Sequence, residues 1–331
     1  MIKEFVKKWT LPLSMITGAA AYFAYTSIHA LDCTHQLAHT IIGVVQPLLI
    51  FSMLFLTFLK ITPSQLHLQK WHMWGLLLQL GVFVLCTVMI LLIPESNWKP
   101  VIEGGMICMI CPTATAAAVV TGKLGGNQAT LTTYTILINL SVAIAVPTVV
   151  PLIHPSAENS FISDAVLIMS KILPLLFCPF LIAIFVRHYI PSLAKRLTSI
   201  PDMAFYLWVV ALALAIAVTV RSIVHSQCPW IYQFGIAVTS LMACIIQFAC
   251  GRWIGKLYQK NNLDNSYEYN EMVTVAQSLR QKNTVFAIWM GYTFFTPVTS
   301  IAGGFYSVWH NLYNSYQLAH REDCTPKTIC K

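Results

Sequence analysis

The segment that interrupts the apolar pattern of this chain is Ala276-Gln277-Ser278-Leu279-Arg280-Gln281-Lys282-Asn283. It lies inside a longer apolar stretch at about residues 271–295. A cation near the middle of a bilayer costs roughly 2.5–3.5 kcal/mol on insertion scales. Because the segment keeps both Arg280 and Lys282, we expect these two side chains to have a function.

The composition around this segment indicates a protein that is largely embedded in lipid. Apolar residues make up 57% of the chain, charged residues only 10%, and the mean hydropathy is +0.67. A hydrocarbon core about 30 Å thick is crossed by roughly 20 helical residues. Apolar segments of that size predict ten spans, at about residues 11–28, 41–61, 73–93, 101–124, 128–152, 161–189, 203–224, 231–254, 271–295 and 297–318.

The arrangement of these spans predicts an all-α polytopic membrane protein made of two repeats. Residues 1–158 hold the first five predicted spans and residues 159–331 the second five. An odd number of spans in each half places the halves in opposite orientations, which is the geometry of an inverted-repeat transporter. The two halves share no convincing residue identity, so the repeat rests on topology.

Lysine and arginine placement predicts the orientation, because cytoplasmic loops are enriched in both. With the N-terminus inside, fifteen of these residues fall on inner segments and two, Lys99 and Arg221, on outer ones, while Lys171, Arg280 and Lys282 lie within spans. We therefore expect both termini in the cytoplasm and an integral protein of a bacterial inner membrane. The net charge of +8 is a topology signal, and we expect no nucleic-acid partner.

The fourth and ninth spans occupy corresponding places in the two halves, and both are interrupted. Pro112 removes a backbone donor and clashes with the preceding turn, so the helix should break there. The polar run 277–283 marks the matching position in the ninth span. A pair of broken helices in equivalent places of two inverted halves indicates a transport site.

Each interruption also has a structural explanation. Proline and small residues in a membrane helix often serve packing alone. In the ninth span, the helix would begin only at Thr284, and Arg280 and Lys282 would extend to the headgroups as cytoplasmic flanking residues. One long helix would then run from Thr284 beyond Trp309, giving nine spans and an external C-terminus.

Patterns for an enzyme or a structural metal are weak. Cys108 and Cys111 form a C-x-x-C pair without a second pair, and His35 and His39 share a helix face without a third ligand. The metalloprotease, nucleophile-elbow and paired-aspartate signatures do not occur in the sequence. We expect a protein that is not an enzyme and that has no cofactor.

Three short motifs resemble the bile acid:sodium symporter family, and the resemblance spans nearly the whole chain. They are Gln79-Leu80-Gly81, Cys111-Pro112-Thr113-Ala114-Thr115-Ala116 and Tyr306-Ser307-Val308-Trp309-His310-Asn311. The resemblance implies a panel domain of spans 1, 2, 6 and 7 beside a core domain of spans 3–5 and 8–10. It also implies that the two broken helices cross in the core and that substrate binds between the domains.

The chain departs from this family at its first sodium site. In members that bind sodium, a Ser-Asn pair stands where this chain has Ala117 and Ala118, and a serine stands at Leu131, although Thr135 matches. The family element Glu-Thr-Gly-x-Gln-Asn aligns with residues 277–282, so that the neutral Gln277 replaces a carboxylate. The first site is therefore predicted to be lost.

The second sodium site keeps the two matching glutamines, Gln79 and Gln281. Two like charges about 4 Å apart repel by roughly 4 kcal/mol at an effective dielectric constant of 20. Arg280 and Lys282 therefore disfavour a sodium ion beside them. We expect a fixed guanidinium or ammonium to stand where the mobile cation stands in relatives, and an anion to be received there.

These observations predict a secondary active transporter of a small organic anion, working in the lipid bilayer by alternating access. Sodium coupling would be weakened or replaced by the fixed cations. A membrane receptor with the same fold and no transport is the alternative. The predicted substrate and ion site comprises Gln79, Pro112, Thr113, Thr115, Thr135, Gln277, Ser278, Arg280, Gln281, Lys282 and Asn283.

Overall fold

The described residues of a computed structural model, 2–62, 64, 66–93, 96–156, 159–200, 203–261 and 270–322, are almost entirely helical. Within these ranges the only strand-like contact is an isolated bridge between Thr113 and Lys282. A short 3-10 helix covers His29–Thr34. The α-helices are α1 (Ile2–Ser27), α2 (His35–Leu59), α3 (Lys70–Leu92), α4 (Lys99–Ile110), α5 (Ala117–Lys123), α6 (Gln128–Ile153), α7 (Phe161–Tyr189), α8 (Pro191–Ser199), α9 (Met203–Val224), α10 (Trp230–Asn261), α11 (Glu271–Arg280), α12 (Thr284–Phe294) and α13 (Pro297–Glu322).

Six of the described helices are long and apolar enough to cross a membrane. The predicted all-α membrane class is therefore confirmed. The count of ten spans goes beyond this finding and stays a prediction. Two of the predicted spans are each divided into two short helices, and the helices at the first and last predicted spans, Ile2–Ser27 and Pro297–Glu322, are not among the six. The six segments are His35–Leu59, Lys70–Leu92, Gln128–Ile153, Phe161–Tyr189, Met203–Val224 and Trp230–Tyr258.

Both predicted interruptions are present as breaks in helical structure. The fourth span is divided into α4 and α5, with residues 111–116 between them, and the ninth into α11 and α12, with residues 281–283 between them. The alternative of one long helix from Thr284 is wrong, because α12 ends at Phe294 and α13 begins at Pro297. Proline at the first turn of α13 is compatible with a helix start, since its missing N–H would have no helical partner there.

Two details differ from the sequence-based expectation. The fifth span was expected to end near Pro147 and Pro151, but α6 continues through both to Ile153. Prolines are tolerated inside membrane helices where neighbouring helices compensate for the lost bond, and α6 packs along α7. The short helix α8 was not predicted, because Lys195 and Arg196 make its sequence polar.

The helices pack in a pattern that places α10 beside both breaks. Helix α1 packs against α9, and α2 packs against α7 and α9. Helix α10 packs against α4, α11 and α13, and α12 packs against α13. One face of α10 therefore contacts the first half-helix of each broken span.

Two glycines allow α10 to approach α11 closely. A Cβ added at Gly251 would lie 2.7 Å from the Cα of Ala276, and one added at Gly255 would lie 2.6 Å from the Cα of Met272. Their spacing, four residues apart, is the small-residue pattern that membrane helices use for close packing. Because α11 carries Arg280 at its C-terminal end, this contact positions the polar segment.

The Gly251→Val variant should lower the thermal midpoint of unfolding by about 5–10 °C, because its side chain would meet main-chain atoms of α11. Tryptophan fluorescence of the purified protein during heating measures this. Gly81→Val on α3 is the matched control, since no atom lies within 4 Å of a Cβ at Gly81. Equal midpoints for the two variants would contradict the proposed contact.

Candidate functional site

The two breaks meet and bond to each other through their main chains. The N–H of Ala114 donates to the carbonyl of Gln281 at 2.7 Å, and the N–H of Asn283 donates to the carbonyl of Pro112 at 2.8 Å. These bonds flank the bridge between Thr113 and Lys282. The irregular backbone of each span is thus paired with that of the other.

The last carbonyls of α4 are satisfied by side chains from other helices. The Cys108 carbonyl accepts from Nε2 of Gln247 at 3.2 Å, and the Met109 carbonyl accepts from Nζ of Lys282 at 3.1 Å. Burial of an unpaired carbonyl in an apolar medium costs several kcal/mol. Lys282 therefore compensates the broken end of the opposite span.

The last carbonyls of α11 are satisfied in the same way. Thr113 Oγ1 donates to the Ser278 carbonyl at 2.7 Å, and the Tyr306 hydroxyl donates to the Arg280 carbonyl at 2.7 Å. At the start of α12, Oδ1 of Asn283 accepts from the N–H of Phe286 at 3.2 Å. The backbone of the crossing thus finds its partners within the protein.

A cation stands at the C-terminal end of each first half-helix. Arg280 is the last residue of α11, and Lys282 bonds to the end of α4. Helix C-termini carry partial negative charge and favour cations. The two side chains are only 1% exposed, so they do not extend to the headgroups, and the flanking-residue alternative is wrong.

Three amide oxygens surround one nitrogen of the Arg280 guanidinium. Nη2 donates to Gln277 Oε1 at 2.9 Å, to Asn314 Oδ1 at 2.5 Å and to Gln317 Oε1 at 3.0 Å. Nε and Nη1 are buried and have no hydrogen-bond partner among the described residues. The guanidinium therefore keeps two nitrogens, with three N–H groups, that are not used within the described residues.

Aromatic rings complete the surroundings of Arg280. Its Cζ lies 5.1 Å from the ring centroid of Phe248 and 4.6 Å from that of Tyr313. Cation–π contacts of this kind contribute about 2 kcal/mol when they are desolvated. The rings and the amides stabilise the buried charge, and no carboxylate of the described residues is in contact with it.

The glutamines expected at a second sodium site are already bonded to protein groups. Oε1 of Gln79 accepts from the Tyr134 hydroxyl at 3.0 Å, and its Nε2 donates to Gln247 Oε1 at 3.1 Å. Nε2 of Gln281 donates to Gln277 Oε1 at 2.9 Å. These amides form a hydrogen-bond network that reaches Arg280, and Oε1 of Gln79 already accepts from a protein donor.

The predicted site residues are all buried, and most of them meet at the crossing. Thr135 differs, because its Oγ1 donates to the Leu131 carbonyl of its own helix at 3.0 Å. Thr115 is 8% exposed, with no bond recorded to the other break. The other predicted residues lie at or beside the two breaks: Gln79, Pro112, Thr113, Gln277, Ser278, Arg280, Gln281, Lys282 and Asn283.

Both thiols of the C-x-x-C pair contact backbone carbonyls. Cys108 Sγ lies 3.6 Å from the Ala302 carbonyl, and Cys111 Sγ lies 3.0 Å from the Asn283 carbonyl. Within the described ranges, no group of His, Cys, Asp and Glu side chains is arranged to hold a metal ion. The two thiols help to pack the crossing against α13 and the second break.

A buried carboxylate that is not among the predicted site residues joins three helices. Glu103 on α4 accepts from Thr299 Oγ1 at 2.7 Å and bonds to Nε2 of His154 at 3.0 Å. Glu103 is 1% exposed, so its carboxyl group contacts these partners and not solvent. It ties α4 to the end of α6 and the start of α13.

A cavity of about 1270 Å³ lies between α2, α7 and α9 on one side and α12 and α13 on the other. The end of α1 also reaches it, through Tyr22 and Tyr25. Its wall includes the first half of α7, the last turns of α9 and α12, and the first turn of α13. The volume exceeds that of most small-molecule sites, which is about 300–1,000 Å³.

Basic side chains line this cavity, and the described residues of its wall include no acidic one. Lys171 and Arg221 contribute full charges, and His35 and His225 contribute imidazoles. Of the described residues that form the wall, none is Asp or Glu. The cavity is therefore suited to a negatively charged molecule.

The sequence contained a signal for one of these cations. Lys171 is among the three basic residues that fall within predicted spans, where an ionisable side chain indicates function by default. Arg221 falls on a predicted outer segment, where a basic residue by itself does not indicate a function. Only the packing of α7 with α2 and of α2 with α9 places both residues on one cavity.

Comparison with known proteins assigns the chain to a family. No curated protein matches it. The family model of the SBF-like CPA transporter family matches residues 36–321, which include both breaks and nearly all of the cavity wall. This match confirms the resemblance that the motifs of the breaks indicated. The chain belongs to the SBF-like CPA transporter family, and its long apolar helices make it an integral membrane protein.

Proposed function

We propose that the protein is a secondary active transporter that moves an organic anion by alternating access. The observation that carries this proposal is the cavity with Lys171 and Arg221 in its wall and no Asp or Glu among the described residues that line it. Anions bind well to cations that are removed from water and that form no ion pair with a carboxylate of the protein. The family assignment supports transport as the activity.

The proposed architecture is ten spans in two inverted repeats, residues 1–158 and 159–331. Helices α1, α2, α7 and α9 would form the panel, and the remaining spans the core. The contacts of α1 with α9 and of α2 with α7 and α9 support this grouping. With the N-terminus in the cytoplasm, the cavity opens to the outer side of the membrane.

In this proposal, the fixed charges of Arg280 and Lys282 replace the mobile sodium ion. Arg280 holds the amide oxygens of Gln277, Asn314 and Gln317 by hydrogen bonds, and the carboxylate that would favour sodium is replaced by Gln277. The fixed charge at the crossing attracts the anion toward the core. Transport would therefore not depend on a sodium gradient.

Uptake into proteoliposomes tests the proposal. Naphthalene-2-sulfonate is a suitable first probe, because its charge is permanent and its apolar body fits the cavity volume. We expect saturable uptake at equal rates with and without a sodium gradient, and none in protein-free liposomes. Uptake that requires the sodium gradient would contradict the fixed-cation proposal, and binding without uptake would favour the receptor alternative.

A further inference from the structure

The short helix α8 lies at one end of the helix bundle, away from the cavity. It begins at Pro191, two residues after α7 ends at Tyr189, and it packs against α7 and α2. Arg187, in the last turn of α7, donates from Nη2 to the Leu59 carbonyl at 2.6 Å, so the ends of α7 and α2 lie side by side. Because the cavity is bordered by the first half of α7, α8 and the cavity are at opposite ends of that helix.

The apolar side chains of α8 extend beyond its contact with the protein. Ala194 and Leu197 are three positions apart on one helix face. Ala194 is buried, and Leu197 packs against the hydrophobic core. Leu193 is 40% exposed, and Ile200, directly after the helix, is 42% exposed. An amphipathic helix of a membrane protein lies in the plane of the bilayer surface, where such residues meet the boundary between headgroups and acyl chains.

The remaining surface of α8 is basic. Lys195 and Arg196 are adjacent in the chain, and both are exposed. Lys60, which is also exposed, is the C-terminal cap of α2 at the same end of the bundle. No Asp or Glu occurs from residue 187 to residue 200, and the next acidic residue, Asp202, lies outside the described residues. Cations therefore stand beside an apolar strip, without a carboxylate in that part of the sequence.

We propose that α8 is a binding site for an anionic phospholipid, with its phosphate on Lys195 and Arg196 and its acyl chains against Leu193 and Ile200. Lysine and arginine form charge-assisted hydrogen bonds to phosphate oxygens, and each one near a membrane surface adds to the attraction of anionic lipids. A zwitterionic headgroup has no net charge, so this attraction favours phosphatidylglycerol over phosphatidylcholine. The inference goes beyond the proposed transport, and the proposed orientation decides only that the lipid belongs to the cytoplasmic leaflet.

Native mass spectrometry of the purified full chain tests this site by titration with dioleoyl phosphatidylglycerol or dioleoyl phosphatidylcholine. We expect the first lipid to bind about tenfold more tightly than the second. The double variant Lys195→Gln/Arg196→Gln should weaken phosphatidylglycerol binding about 5- to 30-fold and change phosphatidylcholine binding by less than about twofold. Binding of naphthalene-2-sulfonate should not change, because α8 lies away from the cavity.

The matched control is Arg252→Gln/Lys256→Gln, which removes two exposed cations from α10 and should keep the lipid preference. Lys195→Arg/Arg196→Lys keeps both charges of α8 and should keep it too. Equal affinities for the two lipids, or an equal loss in the α8 and α10 double variants, would overturn the inference. Glycerol 3-phosphate has the anionic group without acyl chains, and displacement of phosphatidylglycerol by an equal concentration of it would also overturn the lipid site.

Discussion

Replacing Lys171 with Gln should weaken the binding of naphthalene-2-sulfonate by about 10- to 100-fold. A hydrogen bond to a charged group contributes about 1.5–3 kcal/mol, and the lining residues include no acidic side chain that already neutralises this lysine. Its Nζ lies 5.8 Å from the centroid of the Phe294 ring. Calorimetry and uptake into proteoliposomes measure the loss.

Two further variants identify the cause of that loss. Lys171→Arg keeps the charge and should retain most of the affinity. If the change of side-chain shape alone caused the loss, Lys171→Arg would lose as much affinity as Lys171→Gln. Lys195→Gln removes a cation from the exposed surface of α8 and should leave binding unchanged. Normal affinity in Lys171→Gln would show that the anion is held elsewhere.

Replacing Arg280 with Gln should reduce uptake at least about tenfold while the protein stays folded. The guanidinium attracts an anion that approaches the crossing, and this attraction is lost in the variant. Each amide around Arg280 keeps another donor: Gln281 Nε2 for Gln277 and Asn314, and Gln277 Nε2 for Gln317. Removal of the guanidinium therefore leaves no acceptor of this cluster without a bond.

The variant Gln277→Glu neutralises the same cation without removing it. Oε1 of Gln277 lies 2.9 Å from Nη2 of Arg280, so a carboxylate there would form a buried ion pair. We expect slower uptake together with an unchanged or higher thermal midpoint. Normal uptake in both Gln277→Glu and Arg280→Gln would limit Arg280 to packing, and a midpoint that falls sharply in Arg280→Gln would do the same.

The breaks in the helices were predictable because their causes are local. Pro112 cannot donate a backbone bond, and the polar residues 277–283 do not suit an apolar helix, so each interruption follows from the residues at that place. The burial of Arg280 and Lys282 at the crossing also agreed with expectation. What the sequence could not supply was their partners, since Asn314 and Gln317 come from α13 and Met109 from α4.

The resemblance implies a substrate site between panel and core, but the side chains that line the cavity were not predictable, because they come together through packing between distant segments. Lys171 and Arg221 are fifty residues apart in the chain and reach one space only through the arrangement of α7 and α9 around α2. The spacing of Gly251 and Gly255, in contrast, was a readable signal for the close contact with α11.

The main-chain bonds between the breaks constrain how the molecule can move. Ala114 is bonded to Gln281 and Asn283 to Pro112. A displacement of one break therefore moves the other break with it. Opening toward the opposite side of the bilayer would then leave this junction intact. In the proposed transport cycle, α9 would move against α12 and α13, and α7 would move against α6. The two breaks would move together as one rigid unit.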